Sequence, residues 1–444
     1  MPGKDKLDTP NLRSNHDLDL PAKLLRSGMG SLLIQVIEVA LSLGVVVLLA
    51  RLLGASGYGV YAVAFAMMSL GALVTQAGLP HLVVRETARG QRLSDWPTVR
   101  GVWRWANFTA IALSLFIVAC GAMGLWLGWV RDELLRETLA WALGLLPLLT
   151  LLAIRTASLR GLRHILAGML SDQLLRPALF AGGLLVVSLL PGGAITPDKA
   201  MALALAATLA AYIAGSCLLR QYRPPELSAA KPHYHHRAWL AAAWPMAMTQ
   251  GFQHINRNAD VLLLGFLAST AEVGTYRVAA QGAMLTSLGL TALNMVIAPY
   301  ATRLHTEKKR LKLQKLAQRT AQAAIAFALL TTLVLMILGE WLLTTLFGDE
   351  FRCAYWPLLI LAGGQLVNAW FGPTGLLLTM TGYEREVTRA VAMAAALNVA
   401  LNTLLIPALA SIGAAIATSA SLAFWNVWLW HVVKKRLGVR CSAA

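Results

Sequence analysis

The sequence predicts an all-α polytopic membrane protein: about twelve transmembrane helices in two six-helix bundles, related by a pseudo-two-fold axis along the membrane normal. Three observations predict it. The 444 residues are 57% hydrophobic and 13% charged, with mean hydropathy +0.61, a balance that soluble domains do not have. Successive apolar runs can each cross a hydrocarbon core of about 30 Å at about 1.5 Å per residue, and the polar gaps between them alternate in Lys and Arg content. Finally, the stretch Ile34–Ala64 lines up without a gap on Thr249–Ala279, 215 residues later.

Taken in order, residues 1–26 are polar, mixed in charge and poor in aliphatics. They cannot bury enough surface to offset the entropy of ordering, and a disordered tail is expected. The first helix spans about Ser27–Leu53 with Gln35 and Glu38 on one face, and its apolar run lacks a clear small-residue cleavage site, so it is expected to remain as a membrane span. LGASGYG turns the chain into helix two, about Val60–Leu79. A basic connector with Arg85, Arg89 and Arg92 leads to helix three, about Val102–Trp129, and the acidic segment RDELLRE to helix four, about Leu139–Ala157. Helix five, about Leu166–Leu190, holds Asp172 and Arg176 in the i,i+4 order that favours an ion pair, followed by a kink at Pro177. Helix six is about Ala200–Leu219.

The polar interruption 220–238 separates a 27–219 bundle from a 239–433 bundle, and 434–444 is read as a second tail. Helix seven is about Trp239–Leu267 and helix eight about Tyr276–Tyr300. HTEKKRLKLQKLAQR, from His305 to Arg319, reads as a basic interfacial lead into helix nine, about Thr320–Leu338. Helices ten to twelve follow at about Tyr355–Thr379, Arg389–Leu409 and Ile412–Val433. Their scattered amides, Gln365, Asn368, Asn398, Asn402 and Asn426, read as interhelical glue.

Charge gives the orientation. With the amino terminus cytoplasmic, the tail, the even-numbered gaps and the end hold 30 of the 38 Lys and Arg residues, and the opposite side holds six. The net charge of +17 is therefore topological and does not indicate nucleic acid. Cys120, Cys217, Cys353 and Cys441 are too scattered for a metal quartet and read as packing residues. His233, His235 and His236 lack a nearby carboxylate and read as solvated linker.

Helix seven carries the chemistry. Gln250, Gln253, His254, Asn256, Arg257, Asn258 and Asp260 crowd QGFQHINRNAD, although an Arg or Asp at mid-membrane costs roughly 2.5–3.5 kcal/mol on insertion scales. At about 100° per residue, Gln250, Gln253, His254 and Arg257 share one stripe, with Asn258 and Asp260 at its border. Two readings stand: a buried network in which Arg257 and Asp260 neutralise each other, or a polar cavity offering a cation to an anionic substrate. The repeat places Gln35 on Gln250 and Glu38 on Gln253, which predicts that the two stripes face each other across a central cleft. As a lone acid in helix one, Glu38 reads either as a neutral hydrogen-bonding carboxyl or as a proton-exchanging one.

ARLLGASGYGVYAVAFAMMSLGALVTQAGLPHLVVRETAR, with Gly54, Gly57, Gly59, Tyr61, Gly78, Leu79 and Arg85, resembles the first hairpin of the polysaccharide transporter family. These are the Wzx-type flippases of the multidrug, oligosaccharidyl-lipid and polysaccharide exporter superfamily, and the resemblance covers about Ser27 to Val433. It implies a V-shaped transporter that alternates between inward and outward openings. The implied cargo is an undecaprenyl-diphosphate-linked oligosaccharide, such as an O-antigen, capsule or exopolysaccharide repeat unit, and the implied site is the bacterial inner membrane with both termini cytoplasmic. Substrate-binding candidates are Arg257, Asn258, Gln253, Gln250, His254 and Gln35, with Glu38 and Asp260 as candidates for proton or sodium coupling. Arg155 and Arg176 are further cations for the first half, and other glycan-assembly membrane proteins are candidate partners. No cofactor, metal or enzymatic activity is expected.

Two rivals remain. A cation-coupled multidrug or metabolite exporter of the same superfamily could use Glu38 and Asp260, but Arg257 would repel a cationic drug. A membrane polysaccharide polymerase or ligase would need a large outward loop with paired catalytic groups, and no outward gap exceeds about 20 residues.

Overall fold

The computed structural model describes residues 19–190, 194–439 and 441–443, and no strand occurs among them. Most of the predicted 1–26 tail lies outside these residues, although the backbone is already helical from Asp19. The first element, α1 (Asp19–Gln76), is two helices joined at Gly54, whose φ of 67° and extended ψ only glycine adopts without strain. Gly78, also left-handed, ends this hairpin and starts α2 (Leu79–Leu93), an amphipathic helix in place of the expected basic connector.

Then come α3 (Trp96–Trp126), capped by Asp95, and α4 (Glu133–Gly161), capped by Asp132, each carboxylate accepting a backbone N–H of the first turn. The fifth span is α5 (Ile165–Met169), a π-helical stretch Leu170–Leu175, and α6 (Arg176–Leu189). Pro177 supplies no N–H, and the ladder relaxes to i→i+5 just before it, so the predicted kink takes the form of a π-bulge. The predicted ion pair is present, with Arg176 Nε 3.0 Å from Asp172 Oδ1. The first half ends with α7 (Pro197–Tyr222), and a short α8 (Pro225–Ala229) lies in the linker.

The second half repeats the plan with α9 (His236–Leu267), α10 (Thr270–Thr306), α11 (Arg310–Phe347), α12 (Tyr355–Phe371), α13 (Thr374–Met380) and α14 (Glu384–Leu437). Ala410 breaks α14 into two arms as Gly54 breaks α1, and Gly372 with Pro373 separates α12 from α13 within one span. Counting α1 and α14 as two arms each gives twelve spans among the described residues, six on either side of the linker.

The halves meet most closely where each has its first corner. A Cβ built on Gly59 would overlap the Thr270 carbonyl oxygen, and one built on Gly274 would overlap that of Ala55. Gly59 and Gly274 are repeat mates, and so are Ala55 and Thr270. The contact is therefore reciprocal, as a two-fold axis along the membrane normal requires. Ser56 Oγ lies 3.0 Å from Thr270 Oγ1, Glu350 accepts the Ala55 N–H at 2.9 Å, and Arg51 donates to the Thr345 and Leu346 carbonyls at the end of α11. A core shared by both halves lies beneath: Leu49, Ala50, Tyr58 and Tyr61 pack in one cluster with Val261, Leu264, Val273 and Tyr276. This end of the molecule is sealed.

The linker belongs to the first half. Arg100 donates to the Ser228 and Ala230 carbonyls, the His233 N–H bonds to the Pro97 carbonyl at 3.0 Å, and Trp239 is buried with Leu82 and Val102. The predicted second tail is packed as well: Val439 and Cys441 are buried, and the Ala443 N–H reaches the Trp370 carbonyl at 3.0 Å. Of the four cysteines only Cys441 is a packing residue, its thiol pushed up to about 12 by burial, while Cys120, Cys217 and Cys353 are exposed.

Orientation can be checked on a cysteine-free background. Lys231→Cys in the linker and Lys315→Cys in the basic lead of α11 should resist an impermeant thiol reagent on intact cells and react after permeabilisation. Labelling of either from outside would reverse the topology.

Candidate functional site

Along α9 the shared core ends abruptly. Val261 and Leu264 are buried between the halves, whereas Arg257, one turn nearer the basic end, is exposed. The second arm of α1 runs along α9 on a neighbouring face, with Val63 against Gly265, Leu73 against Gly251 and Gly78 against the Ala243 carbonyl and Ala247. Gln250 joins this seam, its Nε2 2.6 Å from His81 Nε2. Asn258 donates to the His254 carbonyl at 3.0 Å, a bond within the helix that leaves its amide oxygen for another donor. Gln253 and His254 are half-buried, and His254 Nδ1 is a buried atom without a hydrogen-bond partner among the described residues. Gln35 on α1 is half-buried too.

Arg257 and Asp260 do not neutralise each other. Asp260 is buried on the side of α9 that faces the second bundle, where it accepts from the Tyr276 hydroxyl, from the Val261 N–H at 2.8 Å and from Thr418 Oγ1 at 3.5 Å. Asn398 donates to Thr418 Oγ1 at 3.3 Å, and Asn402 to Asn398 at 3.0 Å, so a polar chain runs from α9 through α10 into α14. The i,i+3 spacing suggested a pair. Helix geometry alone does not decide it, because the carboxylate has donors on its other side and the guanidinium does not need to turn inward. The arrangement separates two groups that the stripe had merged: an acid held inside one bundle and a cation on the exposed face of α9.

The first half contains a counterpart. A polar cavity of about 210 Å³ is lined by Glu38, Ser42, Tyr58, Tyr61, Asp172 and Arg176, with Arg277 reaching in from α10. Ser42 is the repeat mate of Arg257 and Tyr61 that of Tyr276, whereas the acids are not repeat mates: Glu38 falls on Gln253 and Asp260 on Val45. Glu38 thus lines a cavity of the first half that Arg277 of the second half also lines, while Asp260 is buried in its own hydrogen-bonded chain and Arg257 is exposed.

The sequence alone singles out neither Arg277 as a cavity residue nor Tyr276 as the donor to Asp260. For Tyr276 a signal exists: Tyr61 and Tyr276 coincide in the repeat, two positions after Gly59 and Gly274. Arg155, a proposed cation for the cleft, instead bonds Ser216 Oγ and Tyr212 OH, both at 3.3 Å, and packs over the Tyr212 ring. It ties α4 to α7.

A family sequence profile described as "Polysaccharide biosynthesis protein" matches residues 24–305. The "Probable low-salt glycan biosynthesis flippase Agl15" of Haloferax volcanii is 21% identical over 41% of this chain and 38% of its own length. The "Capsular polysaccharide biosynthesis protein CapF" of Staphylococcus aureus is 23% identical over 40% of this chain and 45% of its own. The matched region thus spans less than half the length of these curated relatives. In fold, the chain is similar to an inward-facing multidrug resistance MATE family transporter of the MOP superfamily, with TM-score 0.76 and 13% identity over 90% of this chain and 94% of that one. It is similar too to the lipid II flippase MurJ in its inward closed conformation, with TM-score 0.72 and 13% identity over 91% and 87%. The twelve-helix, two-bundle architecture predicted from the sequence is the one these transporters have.

Proposed function

This chain belongs to the polysaccharide biosynthesis protein family, and on that premise we propose that it is a flippase for a polyprenyl-diphosphate-linked oligosaccharide. One observation carries the reading: Arg257 is exposed in the middle of a spanning helix, with the acid nearest in sequence, Asp260, already engaged by Tyr276. A guanidinium in that position suits a diphosphate, which it can hold through paired N–H donors. The glycan then follows through a wet groove while the prenyl tail stays in lipid, because moving the charged head through hydrocarbon unaided is prohibitive. Gln250, Gln253, His254, Asn258 and Gln35 supply neutral donors and acceptors along the path.

The sealed corner at Gly59 and Gly274 belongs to the inward-facing stage of the cycle. Opening the other way parts the halves there, one bundle rocking against the other. The substrate loads from the cytoplasmic leaflet of a bacterial inner membrane, and both termini stay on that side. Direct support would come from reconstituting the purified protein in vesicles with a prenyl-diphosphate-linked sugar. Exposure of the sugar to a membrane-impermeant glycosidase, accelerated by the protein over empty vesicles, is the expected result. A cationic dye transported at the same rate, with no effect on the sugar lipid, would shift the assignment to the exporter.

Energy enters through two acids. Glu38 and Asp260 are the groups that could exchange a proton or bind sodium as the bundles rock, each in a separate half. Glu38→Gln should lower transport several-fold and remove its dependence on the proton gradient, while Asp260→Asn should also weaken the Tyr276 contact. Full activity with an unchanged gradient dependence in Glu38→Gln would take this residue out of the coupling step.

A further inference from the structure

At the basic end of the second bundle, away from the cleft, the turn between α10 and α11 and the last turn of α14 enclose a cavity of about 630 Å³. His305, Lys308, Arg310 and Arg436 line it above a floor of Leu304, Leu313 and Leu437, the last two of which are buried. This volume falls within the roughly 300–1,000 Å³ of small-ligand pockets. Nothing in the transport reading uses it.

Its electrostatics are one-sided. The nearest acid in sequence, Glu307, is held between Lys309 and Arg303, with N–O separations of 2.7 Å to each, which brings its carboxyl down to about 2. Glu386 meets Arg436 Nη2 at 3.1 Å and also faces Arg389, so it offsets at most one of the three cations Lys308, Arg310 and Arg436. Arg310 and Lys308 form no ion pair among the described residues. Arg310 lies across the gap toward α14, its Nη1 3.9 Å from the position a Gly438 Cβ would take. It also opens α11, a helix of 38 residues, so the free N–H groups and the positive end of its dipole add to the same side of the cavity.

Its depth relative to the bilayer is marked independently. Trp425, Trp428 and Trp430 precede it on α14, with Lys434 folded back over the Trp430 ring, the aromatic-then-basic order of a membrane interface. Leu311 next to Arg310 is 77% exposed, an apolar side chain with no place in water beside three cations but well placed to dip below the headgroups.

From these observations we infer that the cavity binds a phosphate group, carried by the headgroup of an anionic membrane lipid. The phosphate would sit among Lys308, Arg310 and Arg436, and its acyl chains would run down past Leu311. Bound there, the lipid would tie α10, α11 and α14 together at the end of the molecule that must open and close.

The test uses the full-length protein in nanodiscs of phosphatidylcholine doped with phosphatidylglycerol, with inorganic phosphate as the soluble probe. Phosphatidylglycerol retained after delipidation is counted by native mass spectrometry, and thermal stability is followed alongside. Basic residues near an anionic surface contribute about 1 kcal/mol each, so the triple variant Lys308→Gln, Arg310→Gln, Arg436→Gln should hold the lipid roughly a hundredfold more weakly. A control variant, Lys312→Gln with Lys315→Gln, removes charge from the same helix outside the cavity and should retain it. Equal melting in pure phosphatidylcholine establishes that the variants fold, and an Arg310→Lys, Arg436→Lys variant that keeps the lipid provides a folded reference if the triple variant does not. Stabilisation by inorganic phosphate with the same variant dependence supports the phosphate site and assigns it to a soluble ligand if phosphatidylglycerol has no such effect. Equal lipid retention by wild type and triple variant, or equal loss in the control variant, overturns the proposal.

Discussion

Arg257→Ala is expected to reach the membrane at wild-type levels and to deliver almost no glycan to the cell surface in a strain lacking the endogenous gene. Losing one charged partner of a desolvated phosphate contact typically costs about 2–5 kcal/mol, which is roughly thirty- to several-thousand-fold in rate. Arg257→Lys should keep part of the activity, since it retains the charge and loses the fork. Asp260 provides the internal control. Were the two residues a neutralising pair, removing both would be tolerated better than removing one. The structure gives Asp260 its own donors in Tyr276, Val261 and Thr418, so the Arg257→Ala, Asp260→Ala double variant should be as inactive as Arg257→Ala alone. Melting temperatures should show the same independence, with little coupling between the two positions in a double-mutant cycle. Wild-type surface glycan from the double variant at equal abundance would make Arg257 structural.

The second large effect belongs to the glycine corner. Gly59→Leu should be unable to close the sealed end, because any side chain there meets the Thr270 carbonyl backbone-on. Overpacking of this kind costs about 1–3 kcal/mol, and charged against one conformation only it shifts the inward–outward equilibrium about 5- to 150-fold. Ser56→Cys with Thr270→Cys reports the seal, since the native hydroxyls are 3.0 Å apart. That pair should cross-link readily in an otherwise native chain, stop transport, and recover on reduction. With Gly59→Leu or Gly274→Leu added, the cross-link yield should collapse while membrane abundance holds. Unchanged cross-linking in both would mean that the halves meet elsewhere.

How much of this could be read from residues depended on range. Gly54, Pro177 and the Asp172–Arg176 spacing act within a turn or two, and the structure has the corner, the break in helical register and the ion pair where local rules put them. The repeat carried the symmetry, because like sequences in two halves of like orientation must be related by an axis along the membrane normal. The partner of Asp260 escaped, because Tyr276, Thr418 and Asn398 lie on other helices and a stripe on one helix does not say which neighbour will supply donors. Arg277 escaped for a related reason. It stands near the start of α10, where an arginine usually marks solvent, and only the packing of the halves turns it into the cavity of the first bundle. The docking of the tail after α14 is not legible in the sequence because its short run of Val439 and Cys441 carries too little apolar surface to announce it.

The reciprocal glycine contact also sets an order of events during synthesis. Gly59 leaves the ribosome about 211 residues before Thr270, the residue whose carbonyl it must meet. At roughly 5–20 residues per second, that is a wait of about 10–40 s, long after the first six helices can have packed among themselves. The nascent first half therefore spends that time with its corner uncovered and its acid pocket lacking Arg277, which is translated later still. The seal is consequently among the last features to form, and a chain arrested anywhere before α10 has no means of closing.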